Sequence, residues 1–373
     1  MKPHPLRTEL HDEIHTRPRP PVKAPHAVSH ISLLLPQRMP RPVPPALVDW
    51  CVRHVVEPPP QGQSHFEADL GALRLKWERH GEFDDYTVYS AGAEPQAPFA
   101  RNPADIVLAD LLQGTEGEMI AALRIAVVHA GSTRIDEKSV SALLESPNFV
   151  GAKISDGQAS LFSSFRLDER GFGRFLLADA TTTAPQLGRA VQRVIEIEVY
   201  RMMAMLAFPE AQRIGGELDR VERRLSELVA RLDVAPASEE PEMLHEVTRL
   251  SAMTEQLSTT AAFRFGAARA YRALVRQRGE ELRETRLQGL QTPLQVWGDH
   301  DQQHPDLTLC PETGGRVFGA LRDQLADFTT CLRRGEPSAV ADLNDAVEAL
   351  RIAEALITAG QLGEVVRLDS GAH

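Results

Sequence analysis

The sequence predicts an α+β fold: a mixed, largely antiparallel sheet domain followed by a long α-helical hairpin and a small, mainly helical C-terminal tail. Two observations predict it. In the first half, short runs rich in β-branched and aromatic residues are separated by Gly and Asp turns, which is typical of strands. From Pro185 strand-forming residues thin out, and Ala, Leu, Glu and Arg dominate for about a hundred residues, which favours long helices.

The first half divides into strands and short helices that are bounded by turn signals. The Pro-rich start, as far as Pro25, has no period and predicts an extended arm that lies against the body or stays mobile. Gly71 and the cluster at residues 81–85 separate three consecutive strands, which predicts a meander. The predicted strands are Val28–Leu35, His65–Leu70, Leu73–Arg79, Tyr86–Ser90, Met119–Ala130, Phe149–Ile154, Ala159–Asp168 and Gly173–Leu177, and the predicted helices are Ala46–Val56, Ile106–Leu112 and Asp136–Leu144.

The second half predicts two long helices. One apolar stripe at coiled-coil spacing runs along the first: Leu218, Val221, Leu225, Leu228 and Leu232. Pro236 and Pro241 separate it from a second helix, expected from about Glu242 to Leu290, so an antiparallel hairpin is predicted. Two interpretations stay open: helix packing within one subunit, or a rod for self-association or a protein partner. Beyond it, residues 363–368 are a candidate last strand.

These elements predict three parts of the chain. Residues 1–182 form the α+β domain with its arm, residues 183–291 form the helical hairpin or coiled-coil-like region, and residues 292–373 form the C-terminal tail.

Composition limits the function classes. A net charge of −11 without a clustered basic patch argues against nucleic-acid binding. The three cysteines are scattered and lack CxxC spacing, so they predict neither a disulfide framework nor a zinc site and favour a cytoplasmic location: Cys51, Cys310 and Cys331. No apolar run reaches the length of about twenty residues that spans a bilayer, so no transmembrane segment is expected.

Four motifs carry a resemblance that covers roughly the first 290 residues: Glu13–Pro18, Val28–His30, Glu198–Met203 and Phe263–Tyr271. Together they resemble the bacterial family of predicted membrane-anchored proteins called domain of unknown function 3422. That family has no established activity, so the resemblance implies a topology without a mechanism. It also implies further helix and a hydrophobic anchor near the C-terminus, so full-length relatives are expected at the membrane.

The continuation after Thr292 departs from that family. Three segments, at residues 305–309, 319–328 and 345–350, resemble the C-terminal end of the glucose-fructose oxidoreductase and inositol dehydrogenase family, over about residues 293–370. We therefore expect a gene fusion near Gln288 to Pro293 and loss of the membrane anchor. The chain has neither GxGxxG nor the Glu-Lys-Pro triplet that this family uses, so no cofactor is expected.

The sequence offers weak polar-site candidates and no catalytic, cofactor or metal set. His15, Arg17 and His30 have the chemistry to form a small polar site, because imidazole moves protons near neutral pH and guanidinium binds anions. The alternative is that they pin the arm to the sheet.

Two further groups have a functional and a structural interpretation. Asp179 with Thr181, Thr182 and Thr183 precedes a helix, which suits either phosphate binding or helix capping. The carboxylates and imidazoles at 299, 300, 301 and 304 suit either a divalent metal or a solvated loop.

These observations predict a non-catalytic scaffold or interaction protein derived from a membrane-anchored family. The alternative is a fragment related to sugar- or inositol-type NAD(P)-dependent oxidoreductases that lacks its dinucleotide-binding domain.

Overall fold

The computed structural model describes residues 4, 7, 19–36, 41–92, 94, 97–100, 103–131, 135–232, 236–287, 289–293, 312–313 and 316–317. The chain divides into two compact units. The first holds the residues up to Phe208 together with the segment that begins at Arg264, and the second holds Pro209–Phe263. The three-part division at residues 182 and 291 stays a prediction.

The α+β class is confirmed, with nine strands in one sheet. The strands are β1 His26–Leu34, β2 His65–Asp69, β3 Leu73–Arg79, β4 Phe83–Ala91, β5 Glu118–His129, β6 Val150–Ile154, β7 Ala159–Leu167, β8 Gly173–Asp179 and β9 Thr285–Arg286. The helices are α1 Pro45–Arg53, α2 Pro103–Leu111, α3 Glu137–Leu144, α4 Ala184–Met205, α5 Ala207–Leu232 and α6 Glu240–Glu281.

The sheet has the order β2-β3-β4-β1-β5-β8-β7-β6-β9. Its neighbouring strands are antiparallel except for the parallel pair β5 and β8. The predicted meander is confirmed as β2-β3-β4, and β1 inserts between β4 and β5.

Helices cover both faces of the sheet. On one face, α1 and α2 bury Trp50 and Leu108 against strand residues such as Trp77, and α3 packs farther along the same face. On the other face, α4 buries Val191 and Val194 against alternate residues of the central strands. Because successive side chains of a strand point to opposite faces, the strands β1, β4, β5, β7 and β8 each contribute to two cores.

The described part of the Pro-rich arm lies against α4. Val22 is fully buried, and its backbone N–H donates a hydrogen bond to the carbonyl oxygen of Ala184. Gly188 allows this contact, since a Cβ at that position would overlap the carbonyl oxygen of Pro20. The arm therefore packs on the same face of the sheet as α4.

Particular residues determine where α4 and α6 end. Pro209 lies in the first turn of α5, and since proline has no N–H to donate to the carbonyl of Met205, α4 ends there and a new helix begins. The prediction that the last long helix extends to about Leu290 is wrong. It ends at Glu281 because Leu282 is buried in the core and Arg283 takes a left-handed backbone with φ of 50°, after which β9 pairs with β6.

In the second unit, α5 and the first part of α6 pack as the predicted helical hairpin. Its buried apolar side chains contact each other within the one chain: Val221, Leu228, Met243, Val247 and Leu250. Arg224 on α5 pairs with Glu246 on α6 at 3.1 Å. These contacts favour ordinary packing within a subunit, and the coiled coil stays a prediction.

Among the residues the structure describes, no helix combines the length and apolar character needed to cross a bilayer. Two short strands, Glu312–Thr313 and Arg316–Val317, pair in the tail. The tail's predicted helices and its last strand at residues 363–368 lie outside the described residues.

Candidate functional site

Three neighbouring strands, β3, β4 and β1, place polar side chains on the sheet face that α4 covers. Cross-strand partners share a face of a sheet, so the register gives two polar rows: Lys76, Thr87 and His30 in one, and Glu78, Asp85 and Ser32 in the next. All six residues are buried. Burying this many polar groups is costly unless each finds a partner, and their hydrogen bonds show how most of that cost is met.

A chain of hydrogen bonds connects the two rows through His30. The His30 ring contacts Thr87 Oγ1 through Nδ1 at 2.8 Å and Ser32 Oγ through Nε2 at 2.9 Å. Ser32 Oγ in turn donates to Asp85 Oδ1 at 2.5 Å. Because the Ser32 hydrogen goes to the carboxylate, the Ser32 oxygen accepts from an Nε2–H, and Nδ1 of a neutral ring accepts from Thr87.

The titration of His30 and Asp85 fits this direction of hydrogen bonds. Burial lowers the pKa of His30, although the charges of Asp85 and Glu78 oppose the shift, so the ring is neutral near pH 7. Burial alone raises the pKa of Asp85, but His30, His80 and the hydrogen bond from Ser32 outweigh it and hold that pKa below its usual range. The other oxygen of Asp85, Oδ2, lies 3.1 Å from His80 Nε2.

This arrangement differs from a hydrolytic Ser-His-Asp triad. In such a triad the histidine stands between the serine and the aspartate and takes the serine proton. Here Ser32 stands between His30 and Asp85, and Ser32 has no exposed surface. The geometry gives Ser32 the role of a connector rather than that of a nucleophile.

A cavity of about 170 Å³ opens beside Asp85. From the arm and the sheet it is lined by Arg19, Lys76, Glu78, His80 and Asp85, and from α4 and α6 by Gln192, Glu196, Val199, Tyr200 and Arg278. All these residues belong to the first unit. The lining is therefore almost wholly polar, although the cavity lies between a sheet and its covering helices.

Ion pairs fix the charged walls of the cavity. Lys76 Nζ lies 2.8 Å from Glu78 Oε2. Glu196 Oε2 lies 2.6 Å from both Arg278 Nε and Arg193 Nη1. Side chains held in this way lose little further freedom when a ligand binds, which favours a pre-formed site.

Aromatic contacts fix the remaining wall. The ring of Tyr200 stacks on that of Tyr271 with 5.8 Å between centroids. Tyr271 donates a 3.0 Å hydrogen bond to Glu82 Oε2, and Arg264 donates one of 2.5 Å to Glu82 Oε1. Burial raises the pKa of Tyr200 far above its usual value, so its hydroxyl stays protonated.

Three of the four motifs that carried the family resemblance meet at this place. His30 comes from the motif Val28–His30 and Tyr200 from the motif Glu198–Met203. Arg264 and Tyr271 come from the motif Phe263–Tyr271. The motifs are far apart in sequence and are joined by the sheet and the helices that cover it. The motif segments therefore build the cavity and its support.

The structure brings only His30 of the predicted polar site to this region. His15 and Arg17 lie outside the described residues. The described partners of His30 are Thr87 on the neighbouring strand β4 and Ser32 on its own strand β1, rather than the arm. Sequence reasoning missed Asp85 and Lys76, because their positions show no local motif. It also missed Tyr200, because the motif around it belongs to a family without an established activity.

The other candidate groups add no further site. Asp179 Oδ1 accepts hydrogen bonds from the backbone N–H and hydroxyl of Thr182, and the Thr183 N–H donates to Gln186 Oε1 at the start of α4. These bonds favour the capping interpretation. Residues 299–304 lie outside the described part of the chain, and within that part no group of three or more His, Cys, Asp or Glu residues is arranged to hold a metal ion.

Comparisons with known proteins supply a family. No curated protein and no solved structure matches the chain. The resemblance of residues 293–370 to an oxidoreductase family therefore gains no support. One family model, described as Protein of unknown function (DUF3422), matches residues 2–296. Because this match covers most of the 373 residues, the chain belongs to that family of unknown function.

Proposed function

We propose that this protein is a non-catalytic binding protein whose cavity beneath α4 holds a small polar molecule. The observation that carries the proposal is a set of mostly polar walls around about 170 Å³ of space beside an apolar core. Ligand sites are concave and pre-formed, with a few convergent polar groups that fix orientation.

The volume sets the size of the ligand. An apolar protein cavity of roughly 150 Å³ accommodates benzene, so 170 Å³ suits a molecule of about six to eight non-hydrogen atoms. Larger cofactors such as nicotinamide dinucleotides exceed this volume several-fold.

The protonation states favour binding over catalysis. A general base works best with a pKa near the working pH, whereas the pKa of Asp85 is lowered and both of its oxygens already accept hydrogen bonds. Ser32 gives its proton to that carboxylate. Neither side chain is prepared to take a proton from a substrate.

The test is a thermal-shift and calorimetric screen of the full chain against small polar molecules, together with native mass spectrometry of the protein as purified. Gln192→Trp should fill the cavity and abolish any binding, whereas Arg220→Trp, at an exposed hairpin position, should leave it unchanged. Failure of every compound to bind, or binding that survives Gln192→Trp, would contradict the proposal.

A second proposal is the interaction role that the sequence predicted, with the protein in the cytoplasm and the hairpin as its contact surface. The supporting observation is that the hairpin buries one apolar stripe between its own helices but leaves two large apolar side chains exposed. Val229 is 43% exposed and Phe263 is 57% exposed. Light scattering across a range of concentrations tests self-association, and Val229→Glu with Phe263→Glu should abolish it. A monomer at every concentration that captures no partner would count against this role.

The oxidoreductase alternative gains no support from the described residues. Nicotinamide cofactors and sugars belong in the same thermal-shift screen, where we expect no shift.

A further inference from the structure

We infer that the ligand of the cavity is a small organic carboxylate whose charge is held by Lys76 and Arg19. This inference rests on the proposed binding function and names its ligand class. Lys76, Arg19 and Tyr200 line the cavity and have hydrogen-bond donors without acceptors among the described residues.

Lys76 supplies the first argument. Its side chain is only 3% exposed, and an ammonium group carries three N–H donors. Glu78 accepts from this group at 2.8 Å and is the one partner that Lys76 has in the described part of the chain. A buried donor without an acceptor is costly. The remaining donors therefore call for an acceptor inside the cavity, which Lys76 lines.

The balance of charges supplies the second argument. Each carboxylate of the lining already has a basic side chain as its partner: Glu78 has Lys76, Asp85 has His80, and Glu196 has Arg278. Arg193 also contacts Glu196, but it pairs with Glu281 as well, so that group is balanced.

Arg19 is left over from this balance. It lines the cavity, is exposed to solvent and pairs with no side chain that the structure describes. A single negative charge on the ligand would give Arg19 the partner that the described part of the lining does not supply. Guanidinium and ammonium groups together form strong, charge-assisted hydrogen bonds to a carboxylate.

Tyr200 supplies a third donor. Tyr200 lines the cavity, and its hydroxyl has no hydrogen-bond partner among the described residues. A protonated phenol donates one hydrogen bond and accepts another. It therefore suits a ligand that carries a hydroxyl or carbonyl beside its carboxylate.

The test compares three probes on the full chain by calorimetry: lactate, its neutral amide lactamide, and the cation ethanolamine. Lactate and lactamide have the same size and shape, so their difference reports the charge alone. We expect lactate to bind about tenfold more tightly than lactamide, which is the ratio that one charge-assisted hydrogen bond gives, and ethanolamine not to bind.

Two variants test whether Arg19 and Lys76 bind the carboxylate of lactate. Arg19→Gln, at an exposed position, should weaken lactate binding about tenfold and leave lactamide unchanged, whereas Arg220→Gln should change neither. The double variant with Lys76→Met and Glu78→Leu removes a buried ion pair as a unit, which folded proteins often tolerate, and it should abolish the preference for lactate. Thermal unfolding checks that both variants are folded.

The outcomes separate this inference from the proposed function. Equal or tighter binding of lactamide or ethanolamine would overturn the carboxylate while leaving the binding function intact. Binding of none of the three probes would also overturn it, and the broader screen would then decide the binding function. Lactate binding that is unchanged in both variants would remove Lys76 and Arg19 from the site.

Discussion

Ser32 Oγ lies 2.5 Å from Asp85 Oδ1, and through this hydroxyl the buried ring of His30 is connected to a carboxylate that lines the cavity. The two residues are directly opposite each other on β1 and β4. Because strand pairing fixes their separation, the hydrogen bond depends on the register of the sheet rather than on a flexible loop. This part of the cavity wall is thus formed by paired strands.

Removing the connecting hydroxyl should destabilise the protein. Ser32→Ala leaves His30 Nε2–H and one oxygen of Asp85 buried without their hydrogen bonds, a loss of about 1–3 kcal/mol in the free energy of unfolding. Urea denaturation at pH 7 measures it. The matched control is Ser226→Ala, an exposed serine that bonds its own helix, and we expect a change within about 0.5 kcal/mol there. Equal effects for the two variants would argue against the connector role.

Stability should fall on acidification through His30. Its pKa in the folded state is lowered from 6.5, so below pH 6.5 the unfolded chain binds a proton that the folded chain does not. The contribution of His30 to the free energy of unfolding is therefore highest above pH 6.5 and decreases as the pH falls toward the folded-state pKa. Urea denaturation at pH 7.5 and pH 5.5 should show this decrease.

His30→Gln should reduce that pH dependence, since glutamine does not titrate. The control is His245→Gln, which changes an exposed histidine of the hairpin. If His30→Gln loses as much stability between the two pH values as the native chain does, another group is responsible. Asp85 is a poor candidate at pH 5.5, because its pKa is lowered and it titrates only in stronger acid.

The end of α1 contains a backbone strain that a single substitution should relieve. Val55 has φ of 56°, a left-handed conformation that β-branched residues disfavour, and it is 94% exposed. The N–H groups of Val56 and Val55 bond to the carbonyls of Cys51 and Val52, which is the helix-end pattern that glycine favours.

Val55→Gly should therefore stabilise the protein by about 1 kcal/mol, which thermal unfolding measures. Val52→Gly is the opposing control, because this exposed residue lies within α1, where glycine is less favourable than valine by roughly 0.3–0.5 kcal/mol. A loss of stability in both variants would show that glycine at residue 55 gains nothing from the left-handed backbone.

The sequence predicts strands better than it predicts the site. Leu73–Arg79 has the predicted bounds, because its alternating residues and flanking turns are local signals. The same alternation gives Lys76 and Glu78 the appearance of a solvent-facing row. Nothing local shows that α4 and α6 cover them, because that cover depends on residues more than a hundred positions away in the chain. The sequence does not predict the end of α6 for a similar reason. The residue with the left-handed backbone there is Arg283, and arginine, unlike glycine or proline, is not a signal for the end of a helix.

The last prediction joins the fold to the cavity through Gly188. A Cβ at this position would overlap the carbonyl oxygen of Pro20, whose neighbour Arg19 lines the cavity. Gly188→Ala should therefore displace the arm, destabilise the protein and weaken the binding of lactate, although residue 188 does not line the cavity itself.

The matched control is Gly216→Ala, in a helix where an added Cβ meets open space. Alanine is the better helix former, so this variant should gain up to about 1 kcal/mol and bind lactate normally. Calorimetry and thermal unfolding of the two variants give the comparison. If Gly188→Ala lowers stability but leaves lactate binding unchanged, the position of the arm does not govern the site, and the role of Arg19 must be withdrawn.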